Sequence, residues 1–324
     1  ISLAILNAIK IKLFGAAKEA VLKKYTDNPE AYQLYLQGRF YFNKYTKHGY
    51  EKAIEHFEAA IKVEPKYALA YAYIAYTYIM VWIYNYLPPE KCLPQMKQAA
   101  EHSLQLDDEI AESHLAMAMI KLHYEWDFAA SAVEFKKAIE LNTNFADAHL
   151  HFALYLGLMG NYIEEIKHAS IAYSLDPLSL LINYNVACVY WMAGDYEKEL
   201  EYARRLIELE PNFYGGHLLV GFGLMYLKRY NEAVAEIEIA AHQDYVSVIF
   251  LNLGMIYGLM GEKVKVREVL EKMENMRSAQ WVSNVDFGVV YMALGEFDSA
   301  FQYFEKALEI HEGLMIFLKY YIRL

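Results

Sequence analysis

The sequence predicts an all-α fold, a right-handed α-solenoid of about eight helical hairpins. Three observations carry this: a block layout with a 34-residue period, a small residue returning at nearly that period, and glycine and proline punctuation at the block ends.

The blocks HLHFALYLGLMGNY (149–162), NYNVACVYWMAGDY (183–196) and HLLVGFGLMYLKRY (217–230) start 34 residues apart and read as first helices. Their second helices end in AYSLDP (172–177), LIELEP (206–211) and AAHQDY (240–245). Where two helices of a hairpin approach closely, a small residue is needed. The chain supplies Gly38, Ala75, Ala118, Ala153, Ala187, Gly221, Gly254 and Gly288, with spacings of 37, 43, 35, 34, 34, 33 and 34. A second such position, facing the next hairpin, reads Ala60, Ser103, Ala138, Ala172, Leu206, Ala240, Met273 and Ala307. Leu206 and Met273 depart from the pattern, and packing is expected to open there. Turn glycines fall at Gly160, Gly194, Gly261 and Gly295, and Pro65, Pro177 and Pro211 stand where a helix should stop. One hairpin has too little core to stand alone, so stacking must bury the shared faces.

Residues 28–312 hold the eight repeats. About three extra residues around Tyr45–Tyr50 and about nine around Tyr84–Pro94 break the period and are expected to emerge as loops. The Leu87-Pro88-Pro89-Glu90 step reads as a helix start, with proline early and an acid in the first turn. Residues 1–27 read as a separate helix, with Leu3, Leu6, Ile9 and Leu13 on its apolar face, before a fresh start at Asn28-Pro29. Residues 313–324, GLMIFLKYYIRL, begin a helix too apolar for a solvated cap. It is expected to pack on the eighth repeat with more chain following, and the opening without a Met likewise reads as a fragment of something longer.

Apolar residues make up 56% and charged residues 22%, ample for a buried interior. A net charge of −11 and the lack of a basic stripe argue against nucleic acid. Two cysteines, Cys92 and Cys188, make neither a disulfide framework nor a zinc site, and together with the lack of a signal-peptide pattern they point to the cytoplasm. The charge-free stretch between Lys66 and Glu90 is long enough for a membrane span. Its seven tyrosines, its Pro88-Pro89 end and its fit to the repeat make it a buried repeat helix instead.

Reactive constellations are missing from the pattern. Gly221-Phe-Gly223 sits inside a helix, where packing explains it, and no zinc helix or paired-cysteine spacing occurs. His114, His149 and His217 share one repeat position and read as structural, and His149 and His151, two apart on a helix, do not face each other. Glu164/Glu165 and Glu197/Glu199/Glu201 lie beside Lys167, Lys198, Arg204 and Arg205 and read as a solvated face. The expectation is no catalytic residue, no cofactor and no metal.

Period, small positions and punctuation together resemble the tetratricopeptide repeat over nearly the whole chain. That resemblance implies that first helices line a concave surface through fixed motif positions. Here they place Tyr76, Leu115, Met119, Leu150, Leu154, Tyr184, Cys188, Trp191, Leu218, Phe222, Met225, Leu251 and Met255 along a groove. The lysines, arginines and asparagines that grip a C-terminal carboxylate in related modules are absent from these positions in repeats two to seven. The strip is apolar, rich in Met and aromatics suited to a partner helix or peptide. Three readings stay open: cover by its own chain or a second copy, an open site for an apolar helix, or an error of frame.

A narrower resemblance rests on Asn28-Pro-Glu-Ala-Tyr-Gln-Leu-Tyr-Leu-Gln-Gly-Arg39, Tyr86-Leu-Pro-Pro-Glu90 and Tyr124-Glu-Trp-Asp127. These look like the C-terminal repeat region of prokaryotic multidomain signalling proteins. In those, an adenylate or guanylate cyclase, a winged-helix regulator or a Ser/Thr kinase precedes a TolB-like segment, whose last helix ISLAILNAIKIKL resembles. The resemblance implies a non-catalytic scaffold that binds a protein, peptide or its own copy. The alternative is a carrier of a small apolar ligand, a lipid or acyl chain, inside the superhelix.

Overall fold

Local capping sets where the helices begin. In the computed structural model, which describes residues 25–244 and 246–321, Asn28 accepts from Glu30 N and Ala31 N and Pro29 opens the first helix. Among the described residues there are 17 α-helices and no strand, an all-α solenoid of helical hairpins. They are α1 (Pro29–Phe42), α2 (Lys47–Val63), α3 (Ala68–Ile83), α4 (Pro89–Leu106), α5 (Ala111–Ile120) and α6 (Phe128–Leu141). Next come α7 (Ala146–Leu158), α8 (Tyr162–Leu175), α9 (Leu180–Ala193), α10 (Tyr196–Leu209), α11 (Tyr214–Tyr226) and α12 (Tyr230–Gln243). The chain closes with α13 (Ser247–Leu259), α14 (Lys263–Arg277), α15 (Asn284–Leu294), α16 (Phe297–Glu309) and α17 (Leu318–Tyr321), the last preceded by a 3-10 turn at Met315–Phe317. Successive odd and even helices from α1 to α16 form the hairpins. The chain divides into two compact units, one holding the described residues up to Ile79 with Pro94–His151, the other Met80–Leu93 with Phe152 onward. The helix read over 1–27 lies almost wholly outside the described residues.

Within each hairpin the small position does what its chemistry requires. A Cβ at Gly38 would lie 2.5 Å from Phe57, and one at Gly221 would lie 2.6 Å from Ile237, so helix approach there tolerates no side chain. The second small position is fully buried throughout, and Ser103 earns its place by donating to Ala68 O at 2.7 Å and pairing with Ser113 Oγ at 2.6 Å. Contrary to expectation, Leu206 and Met273 open nothing, since both are 0% exposed. Opposite Leu206 the next helix carries Gly216, whose added Cβ would come within 2.8 Å of Ile207 and 3.4 Å of Leu206. The space moved from one partner to the other.

The insertions also differ from expectation. The extra residues of the first repeat lengthen α2 to 17 residues, with Thr46 as its cap and Tyr50 fully buried inside it. Those of the second repeat lengthen α3 to 16 and α4 to 18 residues, and Pro94 lies inside α4. Extra helix turns satisfy backbone groups internally, which a loop cannot do in a packed setting. The expected start at Pro89, with Glu90 in its first turn, is present.

Every hairpin turns through a left-handed residue. Glycine fills it at Gly160, Gly194, Gly261 and Gly295, with φ between 76° and 82°, whereas Tyr45, Asn85, Trp126 and Lys228 occupy it with φ of 51° to 61°. A side chain in this conformation costs roughly 1–2 kcal/mol. Lys228→Gly is therefore expected to raise unfolding stability by about 0.5–1 kcal/mol, the entropy of an added glycine taking back part of the gain. A lower urea midpoint than the parent would contradict it.

Candidate functional site

The predicted groove residues are almost all under cover. In the first unit Tyr76, Leu115, Met119 and Leu150 are 0% exposed. Tyr76 packs on Phe42 at 5.0 Å and shares a 2.8 Å hydrogen bond with His151 Nε2, whose pKa burial and neighbouring His123 drive down to about 3. There the positions form core. In the second unit Leu154, Trp191, Leu218, Phe222, Met225, Leu251 and Met255 are buried, while Tyr184 and Cys188 keep partial solvent contact. Burial pushes the Cys188 thiol up, with Glu199 adding to the effect, so it is no ready nucleophile.

The cover in the second unit comes from its own C-terminal segment. Expected on the eighth repeat, the segment meets it through Glu312 on α15 and Tyr321 beside Val289, and it reaches earlier repeats as well. Gly313 lies against Ile83 and Trp82, where an added Cβ would come within 3.3 Å of each. Tyr320, 1% exposed, donates its hydroxyl to Gly157 O at 2.7 Å, and exposed Lys319 donates to Leu158 O at 2.6 Å. Both carbonyls belong to the last turn of α7, whose end favours positive charge, and Gly157 O also accepts from Gly160 N at 3.0 Å. The rings of Tyr320 and Tyr321 stand 5.4 and 6.1 Å from Trp191, and Tyr321 is 6.4 Å from Phe222. Tyr226 donates to Tyr320 O at 3.4 Å. Beside Tyr321 an apolar pocket of about 210 Å³ lies between Met255, Gly258 and Val289.

The root of this segment is fixed by Glu312, which is 1% exposed. Its carboxylate accepts from Ser283 Oγ at 2.5 Å, from Asn284 N at 2.8 Å and from Val285 N at 3.1 Å, so it sits on the N-terminus of α15.

Two acids expected on a solvated face are buried. Glu165 and Glu199 are both 0% exposed, and no hydrogen-bond partner meets their carboxyl oxygens. Room for them comes from glycine: an added Cβ at Gly157 would collide with the Glu165 carboxyl, and one at Gly223 with that of Glu199. Burial raises Glu165 to about 8 against a smaller opposing pull from Lys319, and lifts Glu199 well above the usual carboxylate range. Gly157, three residues after Leu154 on the same helix, was the available sign, since a glycine inside a helix must make room for something. Lys319, Tyr320 and Tyr226 had no such sign.

The histidines are held by neighbours. His114 Nδ1 is 2.6 Å from Glu134 and its Nε2 2.8 Å from Asp108 O, His217 Nδ1 is 2.7 Å from Glu236, and His149 Nε2 is 3.1 Å from Thr143 O. Burial opposes the charged form of His114, but Glu134 and the Asp108 carbonyl together outweigh it and its pKa rises. Among the described residues no three metal-ligating side chains gather, and no helix is long and apolar enough to cross a membrane.

Tetratricopeptide-repeat family models match residues 181–213, covering α9 and α10, and residues 286–315, covering α15 and α16. The chain carries tetratricopeptide repeats. No curated protein matches it. Among solved structures it is similar to a tetratricopeptide repeat protein from Parabacteroides merdae, at 14% identity and a TM-score of 0.53, over 84% of this chain and 100% of that one. It is also similar to yeast Tom70, at 16% identity and a TM-score of 0.54, over 92% of this chain and 64% of that one. At such identities the likeness is one of fold. Tetratricopeptide repeats generally mediate protein–protein contacts and are generally non-catalytic.

Proposed function

We propose that this tetratricopeptide-repeat chain is a non-catalytic interaction module whose second unit holds a peptide or short helix on its first-helix faces. One observation carries the reading. The groove already holds a peptide segment, through two capped carbonyls and an aromatic wall, so its chemistry suits a polypeptide. The unpaired Cys92 and Cys188 accord with a cytoplasmic setting, and the sequence resemblance described above supports service within a signalling protein. The apolar pocket beside Tyr321, at about 210 Å³, is below the roughly 300 Å³ at which ligand sites begin. It fits a side chain better than a lipid.

The test uses Tyr184 and Cys188, the groove residues that keep partial solvent contact, with circular dichroism checking that each variant folds. Peptides selected on the full chain from an array of apolar helical sequences should bind Tyr184→Ala and Cys188→Arg at least tenfold more weakly. Selected peptides indifferent to both changes, or an array yielding no ligand, would overturn the reading.

A further inference from the structure

The C-terminal segment describes the ligand that the groove is built to take. Its contacts fall into three kinds. At the last turn of α7, the carbonyls of Leu158 and Gly157 accept from an ammonium at 2.6 Å and a phenol at 2.7 Å. These acceptors stand at the negative end of a helix, which a carboxylate would meet with repulsion. Next, Trp191, Phe222 and Tyr226 form a wall whose ring centroids lie 4.9 to 6.2 Å from one another, and two consecutive tyrosines pack against it at a tilt. Beyond Tyr321 an apolar pocket of about 210 Å³ continues the strip past the last described ring.

The segment is also tethered in a way that makes it a competitor. Glu312 anchors its root on the N-terminus of α15, and His311 just before it turns through φ 53°. The eight residues after Gly313 reach the groove on a leash, so the segment acts at an effective concentration on the order of millimolar. Its hold is nevertheless modest. Leu314 to Leu318 are only half-buried and Lys319 is exposed.

We propose that residues Gly313–Tyr321 are an intramolecular occupant of the groove, which a partner must displace, and that the partner is an apolar segment bearing a lysine followed by two aromatic residues. This rests on the groove reading above and adds the partner's chemistry and its regulation. The lysine and first aromatic hydroxyl cap α7, the aromatic pair meets Trp191 and Phe222, and a following apolar side chain enters the pocket beside Met255. Acidic segments are refused at the α7 end.

The experiment measures fluorescence anisotropy of a labelled synthetic peptide, GLMIFLKYYIRL, on the 324-residue chain. Three proteins are compared: the parent, a Lys319→Ala/Tyr320→Ala variant with a weakened tail, and that variant carrying Cys188→Arg. Circular dichroism checks each fold, and Lys319→Ala alone replaces the double change if that does not fold. The weakened tail should bind the peptide at least tenfold more tightly than the parent. The same peptide with Lys319→Glu should bind at least tenfold more weakly than its parent peptide. Equal affinity for parent and weakened tail, lost with Cys188→Arg, overturns the tail's role and leaves the groove reading standing. Indifference to Lys319→Glu overturns the stated partner chemistry. Absence of binding throughout, or binding indifferent to Cys188→Arg, overturns both. Light scattering adds one outcome: a dimeric parent that the tail variant turns into monomers places the segment in a second copy and overturns the intramolecular proposal.

Discussion

Replacing Trp191 by alanine is expected to cost about 3–5 kcal/mol of stability, the usual range for removing a buried tryptophan. The residue is 8% exposed and touches two elements distant in sequence. Its ring lies 4.9 Å from Phe222 on the next hairpin and 5.4 Å from Tyr320 in the C-terminal segment. Alanine therefore leaves a void that α9 and α11 cannot close, and removes the wall on which Tyr320 and Tyr321 rest. Urea unfolding followed by circular dichroism reads the first effect. Limited proteolysis reads the second, as early loss of residues beyond Glu312. A stability change under about 1 kcal/mol, with the C-terminus still protected, would show that the aromatic wall is incidental.

Raising pH from 5 to 8 should destabilise the chain by a few kcal/mol, the reverse of what exposed, paired acids would do. Three buried acids set the sign. Burial lifts Glu165 from 4.5 to about 8, raises Glu199 well above 4.5, and lifts Asp286 from 3.8 to about 7 even though Ser247 donates to it. Each binds its proton more tightly folded than unfolded, so its cost is absent at low pH. The cost grows as pH rises past the unfolded value and levels off above the folded one. One pKa unit is about 1.4 kcal/mol, so Glu165 alone could account for roughly 2–5 kcal/mol after allowance for relaxation. His114, raised chiefly by Glu134, acts in the same direction, whereas His149 and His151, which burial holds neutral, oppose it below the ordinary histidine value, so the acids set the net sign mainly above pH 6.5. Glu165→Gln should flatten the dependence and raise the urea midpoint at pH 8. A parent midpoint independent of pH, or a Gln variant with the parent's slope, would mean that these carboxyls reach water.

The repeat was legible because its signals are local. The turn glycines, the small positions and the caps at Asn28 and Pro89 act within a few residues of themselves. What escaped depends on what lies across a packed surface. Glu165 and Glu199 stand among charged neighbours, but the ion pairs there are made by Glu164 with Lys167 and by Lys198 with Asp195, and the glycine on a facing helix tells that the two acids point inward. Leu206 breaks the small-residue rule, yet Gly216 ten positions on restores it, and a rule applied to one helix at a time cannot see such a trade. The insertion after Tyr84 counts as extra residues, but counting does not distinguish a loop from an added helical turn. The tail showed an apolar character without showing which of eight hairpins would take it.

A stack of hairpins is close to a one-dimensional object, in which each repeat feels its neighbours and the ends can fray without consulting the middle. The hydrogen bond from Tyr320 to Gly157 spans 163 residues, and that from Lys319 to Leu158 spans 161. Such contacts close a ring over the hairpins from α9 to α16. Loop closure of this length yields its reward only after the local pieces exist, so the clasp fastens last during folding. While the clasp holds, the eighth repeat does not peel away alone. The eighth repeat is tied back to α7, and the unit gains a cooperativity that its repeats do not encode.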